Sequence, residues 1–495
     1  MFKIKNLRIY SIIIMLFFGV EKSLLFAQKN NKNTISFEAT VLDKDTKDPL
    51  PFTNVIIDGT SIGTITNEEG KFELTISKSH GAASVVFSFV GYENTSIPVK
   101  DFKDPNKLIY LTSASTSLDE IVVKAKNKYK ELIDEAITNI PINYAQEPVQ
   151  LETYYRELTK TDESYTKFSD AASMIRYAPY DHTFDPSVSR TEYQRFTHLE
   201  FELKKVPFPE PIDFIADSRD QTKILALRRS NNLQDYKILE QSKKLKTIDT
   251  VDLKWLENNE IGGGPLRLTG ADKIKRQQDF FDPKTNKRYH FTLYGKSSYN
   301  NKPVYIISFR PKDSTDTRAI YKGQITLDEQ SKAIIAYDYQ LTPLAKKNLN
   351  QKFGTQLKTP QSTEKETKLA FITRITSLLD YRVFVSFSSY RKKWYLKRIK
   401  AINNYKNSGD LFEDYMVTTE SELIVNTVKT NKPARIPTHE AYDSTFSNSL
   451  FNFNLNYNSK FWENYSALVP TGLVGKALED LESKTSLEKQ FQEKK

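Results

Sequence analysis

Three stretches of this chain alternate in the same sense: Tyr321, Gly323, Ile325 and Leu327; Ile335, Tyr337, Tyr339 and Leu341; Tyr381, Val383, Val385 and Phe387. A period of two is the mark of a β-strand with one covered face, because successive side chains leave opposite sides of the pleat. Residues 324–339 read as a hairpin around the turn Asp328-Glu-Gln-Ser-Lys332. Further strand-like runs at 149–158, 165–177, 195–203, 288–294, 304–310, 379–387, 393–405 and 416–428 make the chain from residue 129 onward mainly β. A sheet of that many strands twists, curls and needs a cover for its apolar side.

The covers on offer are few. Leu132, Ile133, Ala136, Ile137 and Ile140 form one face of a helix over 129–140 that Pro141 ends. Residues 207–260 read as helical and polar, and Leu473, Val474, Ala477, Leu478 and Leu481 mark a C-terminal helix. Thr485 and Glu488 read as a capping box that opens a last short one. Residues 346–368, with six Lys and two Glu, read as a surface insertion without a core. Complete cover makes the large domain a packed α+β core. Incomplete cover leaves an apolar groove lined by Tyr321, Ile325, Leu327, Tyr337, Tyr339, Val383 and Val385, suited to an acyl chain, a glycan or a partner strand.

Residues 35–111 have a different rhythm. Seven short apolar runs (35–42, 53–57, 63–66, 71–76, 85–89, 95–99 and 107–111) are separated by turn residues such as Asp58-Gly59 and Asn67-Glu-Glu-Gly70. That spacing predicts a seven-stranded β-sandwich over 34–115, with Phe37, Val41, Val55, Ile57, Phe72, Leu74, Val86, Phe87 and Phe89 in its core. Asp43, Asp45 and Asp48 lack the central Gly and closing Glu of a calcium loop and read as a solvated turn. A Ser/Thr/Ala stretch starts the linker at 116–128, and the large domain takes 129–495.

The string Val41-x-Asp43, Pro49-Leu50-Pro51-Phe52, Val55, Gly59-Thr60, Gly63-Thr64-Ile65-Thr66-Asn67-x-x-Gly70-x-Phe72, then Val86-Phe-Ser-Phe-Val-Gly91-Tyr92, resembles the carboxypeptidase-regulatory-like domain. The resemblance implies a transthyretin-like sandwich of the bacterial envelope, found among other places on TonB-dependent transporters. It implies no peptidase activity. Asn67 stands where that family commonly has Asp, and Asn supports the same turn. Leu118-Asp-Glu-Ile-Val-Val123 extends the resemblance past the module. The large domain, through Tyr154-Tyr155-Arg156-Glu157, Gly263-Gly264-Pro265-Leu266 and Lys393-Trp394-Tyr395-Leu396, resembles an uncharacterised β-rich domain often joined to it. Its strand pattern also resembles the curved half-barrel sheets of lipoprotein carriers.

Residues 1–28 read as a signal peptide. Lys3, Lys5 and Arg8 precede an apolar run from Ile9 to Val20, and Ala27-Gln28 offers a cleavage region. Cleavage there lowers the net charge from +10 to +7, since four bases and one acid leave. The chain has no Cys, which excludes a lipoprotein anchor, disulfides, Cys-built metal sites and thiol catalysis. The implied location is the periplasm or an outer-membrane-associated position after export across the inner membrane.

Motifs for chemistry are absent. The positions three after His80, His182, His198 and His290 are Ala83, Asp185, Phe201 and Leu293, so no metallocarboxypeptidase ligand pair forms. Neither a serine-hydrolase elbow nor a phosphate-binding loop occurs, and Gly262-Gly-Gly264-Pro265 reads as a flexible start to a strand. Arg391, Lys392, Lys393, Trp394, Lys397 and Arg398 interleave bases with aromatics and are the candidates for contact with an anionic lipid or polysaccharide surface. The sequence therefore predicts a mainly β, α+β protein: an exported, non-catalytic binding or scaffolding module with no cofactor. Its partner is an envelope protein, glycan or lipid and not nucleic acid. The alternative is a hydrolase, for example a glycosidase, whose acidic residues the sequence does not single out.

Overall fold

The computed structural model describes residues 33–114, 128–180, 220–229, 264–353, 357–360, 371–409 and 412–437, with single positions and short runs between 439 and 479. The signal peptide, the strand at 195–203, His182, Asp185, the Thr485–Glu488 capping box and all of the linker except Lys128 lie outside them.

The N-terminal module has seven strands: β1 Thr34–Asp43, β2 Asn54–Ile57, β3 Gly63–Ile65, β4 Lys71–Ser77, β5 Ser84–Ser88, β6 Thr95–Pro98 and β7 Leu108–Leu111. They form two sheets, β4-β1-β7 and β3-β2-β5-β6, with β1 and β7 parallel. Phe37, Val41, Val55, Ile57, Phe72, Leu74 and Phe87 fill the space between them. In β5 it is Val85, not Val86, that shares the core face with Phe87, and Phe89 packs at its margin. The turn chemistry is local. Asp43 Oδ1 accepts the amides of Asp45 and Thr46 at 2.7 and 2.8 Å, while Oδ2 accepts the Tyr92 hydroxyl at 2.6 Å. Asn67 Oδ1 accepts the amides of Glu69 and Lys71, each at 2.9 Å, and closes the next turn. Gly70 ends it at φ +73°, where a Cβ would lie 2.4 Å from the Val41 carbonyl oxygen.

The large domain opens with α1 (Lys128–Thr138) and α2 (Ile140–Asn143). Its strands are β8 Val149–Thr161, β9 Ser164–Tyr177, β10 Gln221–Arg229, β11 Tyr289–Tyr299, β12 Lys302–Pro311, β13 Tyr321–Asp328, β14 Ile334–Leu341, β15 Leu357–Pro360, β16 Phe371–Tyr390, β17 Lys393–Gly409 and β18 Phe412–Lys429. Ten run in the order β10-β9-β8-β18-β17-β16-β14-β13-β12-β11, and β15 pairs with β16 off that path. Every pairing is antiparallel. No helix among the described residues is long and apolar enough to cross a membrane.

Local expectations fail in three places. Within the stretch expected to be helical, residues 221–229 are the edge strand β10; a register shift between Ile224 and Ala226 interrupts its alternation. The Lys-rich segment begins inside α4 (Pro343–Phe353), and the Thr342 hydroxyl accepts the Ala345 amide at the start of that helix. Gly264-Pro265 opens α3 (Gly264–Thr269) rather than a strand. Pro at the first turn of both helices is favoured because its missing N–H has no intrahelical partner to lose.

One face of the large sheet carries the main core. Leu151, Tyr155, Ile175, Ile307, Phe309, Ile325, Leu327, Tyr337, Tyr339, Val383, Val385 and Phe387 lie on it beneath Ile133 and Ile137 of α1 and the segment 264–288. The opposite face of the sheet meets the sandwich.

Candidate functional site

The apolar face expected from alternation is present, but it is not an open groove. Ile325, Leu327, Tyr337, Tyr339, Val383 and Val385 are all at most 3 % exposed, and the half-buried Tyr321 packs against the same cluster. Phe280 fills the space above them, stacked on Phe309 at 4.2 Å and in ring contact with Tyr321, Tyr337 and Tyr339. The cover is pinned by polar contacts. Asp272 Oδ2 accepts the Tyr177 and Tyr180 hydroxyls, each at 2.7 Å, and the Lys275 ammonium pairs with Asp220 at 2.5 Å. Residues 264–288 supply a cover that alternation in the strands alone does not disclose.

The basic segment is also divided. Arg391 and Lys392 form the β16–β17 turn, both with positive φ, and are exposed. Lys393 Nζ donates to the Pro141 and Ile142 carbonyls at the end of α2, and Trp394 packs against Tyr299. A bulge between Leu396 and Arg398 leaves Lys397 as the extra residue. Its ammonium turns inward to the Val425 carbonyl at 2.8 Å, and burial lowers its pKa to about 7. Arg398 is buried too, so the six residues do not share one solvent-facing basic surface.

Arg398 leads to the junction of the two domains. Its guanidinium lies 3.6 Å from the centre of the Phe52 ring, and its Nε donates to Glu422. Next to it, Lys400 pairs with Glu68 of the sandwich at 2.8 Å and with Glu420 at 3.2 Å. Burial works to raise the Glu422 carboxyl, but Arg398 and Lys400 outweigh it and hold the group below the ordinary carboxylate range. The charges continue across the same face: Asp170 accepts Arg156 Nε at 2.8 Å and Arg228 Nη2 at 2.7 Å, with no exposure of its own.

Backbone and neutral groups complete the junction. The Gly91 amide donates to the Ser298 carbonyl at 2.8 Å, and the Asn94 amide to Asn301 Oδ1 at 2.9 Å. Ser61 Oγ donates to the Val428 carbonyl at 2.7 Å and accepts its amide at 3.1 Å. Asn54 donates to the Tyr299 hydroxyl at 2.6 Å, and burial pushes that hydroxyl up to about 12. Ile65 and Phe52 pack with Tyr154 and Ile424.

Between these contacts lies a cavity of about 200 Å³. Phe52, Asn54, Ser88, Phe89 and Val90 line it from the sandwich; Tyr299, Thr326, Ile335, Asp338, Phe384 and Arg398 are among its lining from the sheet. Burial pushes the Asp338 carboxyl up to about 6. Among the described residues of the large domain, the other carboxyl that burial raises, Glu157, accepts the Tyr155 hydroxyl and sits on the opposite face. A glycosidase needs its two carboxyl groups on either side of one bond, about 5–9.5 Å apart. Asp338 and Glu157 do not form such a pair. Among the described residues no group of three or more His, Asp or Glu is placed to hold a metal ion.

Sequence comparison bears on the half of the junction that the sandwich supplies. Residues 37–123 match the CarboxypepD_reg-like domain. The N-terminal module is such a domain. The chain is 34 % identical over 114 residues to TonB-dependent receptor P39 of Formosa agariphila, covering 23 % of this chain and 10 % of that protein. It is 30 % identical over 123 residues to TonB-dependent receptor SusC of Bacteroides thetaiotaomicron, covering 25 % of this chain and 11 % of that one. The chain thus spans about a tenth of the length of these relatives, and the shared part is the CarboxypepD_reg-like domain. Among solved structures, a LolA superfamily protein from Nitrosomonas europaea aligns over 62 % of this chain and 94 % of its own at 9 % identity and a TM-score of 0.18, too low to enter the argument.

Proposed function

We propose that the chain is an exported, non-catalytic protein of the bacterial envelope that acts as a binding or scaffolding unit. The observation that carries this reading is the shared CarboxypepD_reg-like domain, matched over residues 37–123 and found in TonB-dependent receptors. The junction supports it: the domain is clamped to the large sheet by backbone hydrogen bonds, the Lys400–Glu68 ion pair and the stacking of Arg398 on Phe52. Such an assembly presents the rest of its surface as one rigid body to an envelope protein, a glycan or a lipid. The N-terminal 28 residues supply the export signal, and the mature chain begins near Gln28.

Cell fractionation with N-terminal sequencing tests the proposal. The chain belongs in the envelope fraction with an N-terminus within a few residues of Gln28. A cytoplasmic pool that retains Met1 contradicts it.

A further inference from the structure

Asp338 stands at the domain junction without a counter-charge. It lies opposite Gln324 on β13 and Phe384 on β16, and it lines the cavity together with Phe52, Phe89 and Val90 of the sandwich. Among the described residues no side chain forms a hydrogen bond or ion pair with its carboxyl, and the Gln324 backbone supplies the one hydrogen bond that acts on it.

The charged groups of this sheet face are engaged elsewhere or lie out in solvent. Arg398 on β17 is committed to Glu422, Lys400 to Glu68 and Glu420, and Arg382 on β16 to Asp380. Lys322 on β13 and Arg310 on β12 are exposed. The sandwich residues that line the cavity, Phe52, Asn54, Ser88, Phe89 and Val90, carry no charge, and the Tyr299 hydroxyl beside them is pushed up to about 12. A carboxylate in such a place loses hydration and gains no partner, whereas a protonated carboxyl is neutral. Burial is accordingly the leading influence on Asp338 and raises its pKa to about 6. With the sandwich lifted away, the walls that Phe52, Phe89 and Val90 supply go with it and water reaches the carboxyl. Its pKa then returns toward the ordinary value of about 3.9.

We propose that docking of the sandwich onto the large sheet is linked to protonation of Asp338: the junction takes up one proton from solvent as it closes, so acid tightens it and alkali loosens it. The cost of burying the carboxylate is present above the docked value, is relieved as pH falls through that value, and is gone below the undocked one. Phe384 is 38 % exposed at the rim of the cavity, which gives solvent protons a way in. The Glu68–Lys400 pair across the same junction acts in the opposite sense, because acid neutralises its carboxylate.

Amide exchange in the whole mature chain, read residue by residue by NMR, tests the linkage. The Gly91 and Asn94 amides donate across the junction to the Ser298 carbonyl and Asn301 Oδ1. Corrected for intrinsic rates, their protection should be about tenfold greater at pH 5 than at pH 7.5. Asp338→Asn keeps the shape of the side chain and removes its titration, and should lose that increase. The Glu93 amide, which donates to the Thr112 carbonyl inside the sandwich, should respond to pH alike in wild type and variant. Equal pH dependence of Gly91 and Asn94 in wild type and variant overturns the proposal, as does a wild type no better protected at pH 5. A loss of the same size at Glu93 in the variant overturns it too, since the effect would then lie in folding rather than in docking.

Discussion

The Arg398 guanidinium rests 3.6 Å from the centre of the Phe52 ring, and through this contact the middle of the large sheet holds a turn of the N-terminal sandwich. Phe52 adopts φ +63°, a left-handed conformation that a bulky residue rarely takes. Its amide donates to the Thr66 carbonyl at 3.0 Å, and Thr66 Oγ1 donates to the Leu50 carbonyl at 2.6 Å, so the turn is fixed from both sides. The strain is kept where the ring meets its partner in the other domain.

This arrangement makes a paired prediction. Phe52→Ala should destabilise the whole chain by about 2 kcal/mol, from the lost ring packing and cation–π contact. Phe52→Gly loses the same ring but relieves the positive φ, and should be more stable than the Ala variant by about 1 kcal/mol. Urea unfolding of both variants measures the difference; a Gly variant less stable than the Ala variant contradicts the account.

Asp170 governs acid stability on the same face. Burial works to raise its carboxyl, and the Arg156 and Arg228 guanidiniums overcome that effect and hold it below the ordinary range. A depressed folded-state pKa gives stability that is present above the unfolded value near 3.9 and lost as pH falls through the folded value. Asp170→Asn should cost about 3–5 kcal/mol at neutral pH, because two guanidiniums lose their buried counter-charge. The difference between wild type and variant should hold down to about pH 4 and shrink only as pH falls further, through the depressed folded-state value. A pH-independent difference between them argues against the charge-pair origin.

Lys397 predicts the opposite consequence of burial. Its folded-state pKa near 7 lies below the unfolded value, so the unfolded chain binds more protons between the two, and this group's contribution to stability rises with pH across that interval. Lys397→Met should therefore stabilise the chain at pH 6 by roughly 2 kcal/mol, net of the lost bond to Val425. That advantage should shrink toward pH 10. Equal Tm increments at both pH values would show that the ammonium is not desolvated in the fold.

The sandwich has a complete core of its own, since Phe37, Val41, Val55, Phe72, Leu74 and Phe87 pack together without the large domain. A fragment of residues 34–115 should fold alone, with β-rich circular dichroism and dispersed NMR spectra. A fragment that remains unfolded would mean that the core depends on the junction.

The legible parts of this fold were those set by local pattern. The hairpin of β13 and β14 follows from alternation in one short stretch, and the sandwich turns follow from Asn67 and Gly70. Strand β10 was hidden because its bulge breaks the period of two and its Lys and Arg suggest a solvated face. Helix α4 was masked by its lysines, although Thr342-Pro343 is a helix-start signal that could have found it. Arg398 and Lys397 carried no local sign of burial. What covers Arg398 is Phe52, more than 300 residues earlier in the chain, and pairing at that separation leaves no mark in the neighbouring sequence.

Hydrogen exchange at Gly91 tests most directly whether the two domains form one docked unit. Its amide donates across the junction to the Ser298 carbonyl at 2.8 Å. Exchange of the Gly91 and Asn94 amides, read residue by residue by NMR, should be strongly protected in the whole chain and fast in the isolated 34–115 fragment, while the Glu93 amide, bonded to Thr112 within the sandwich, stays protected in both. Equally fast exchange of the Gly91 and Asn94 amides in both would contradict the docked arrangement.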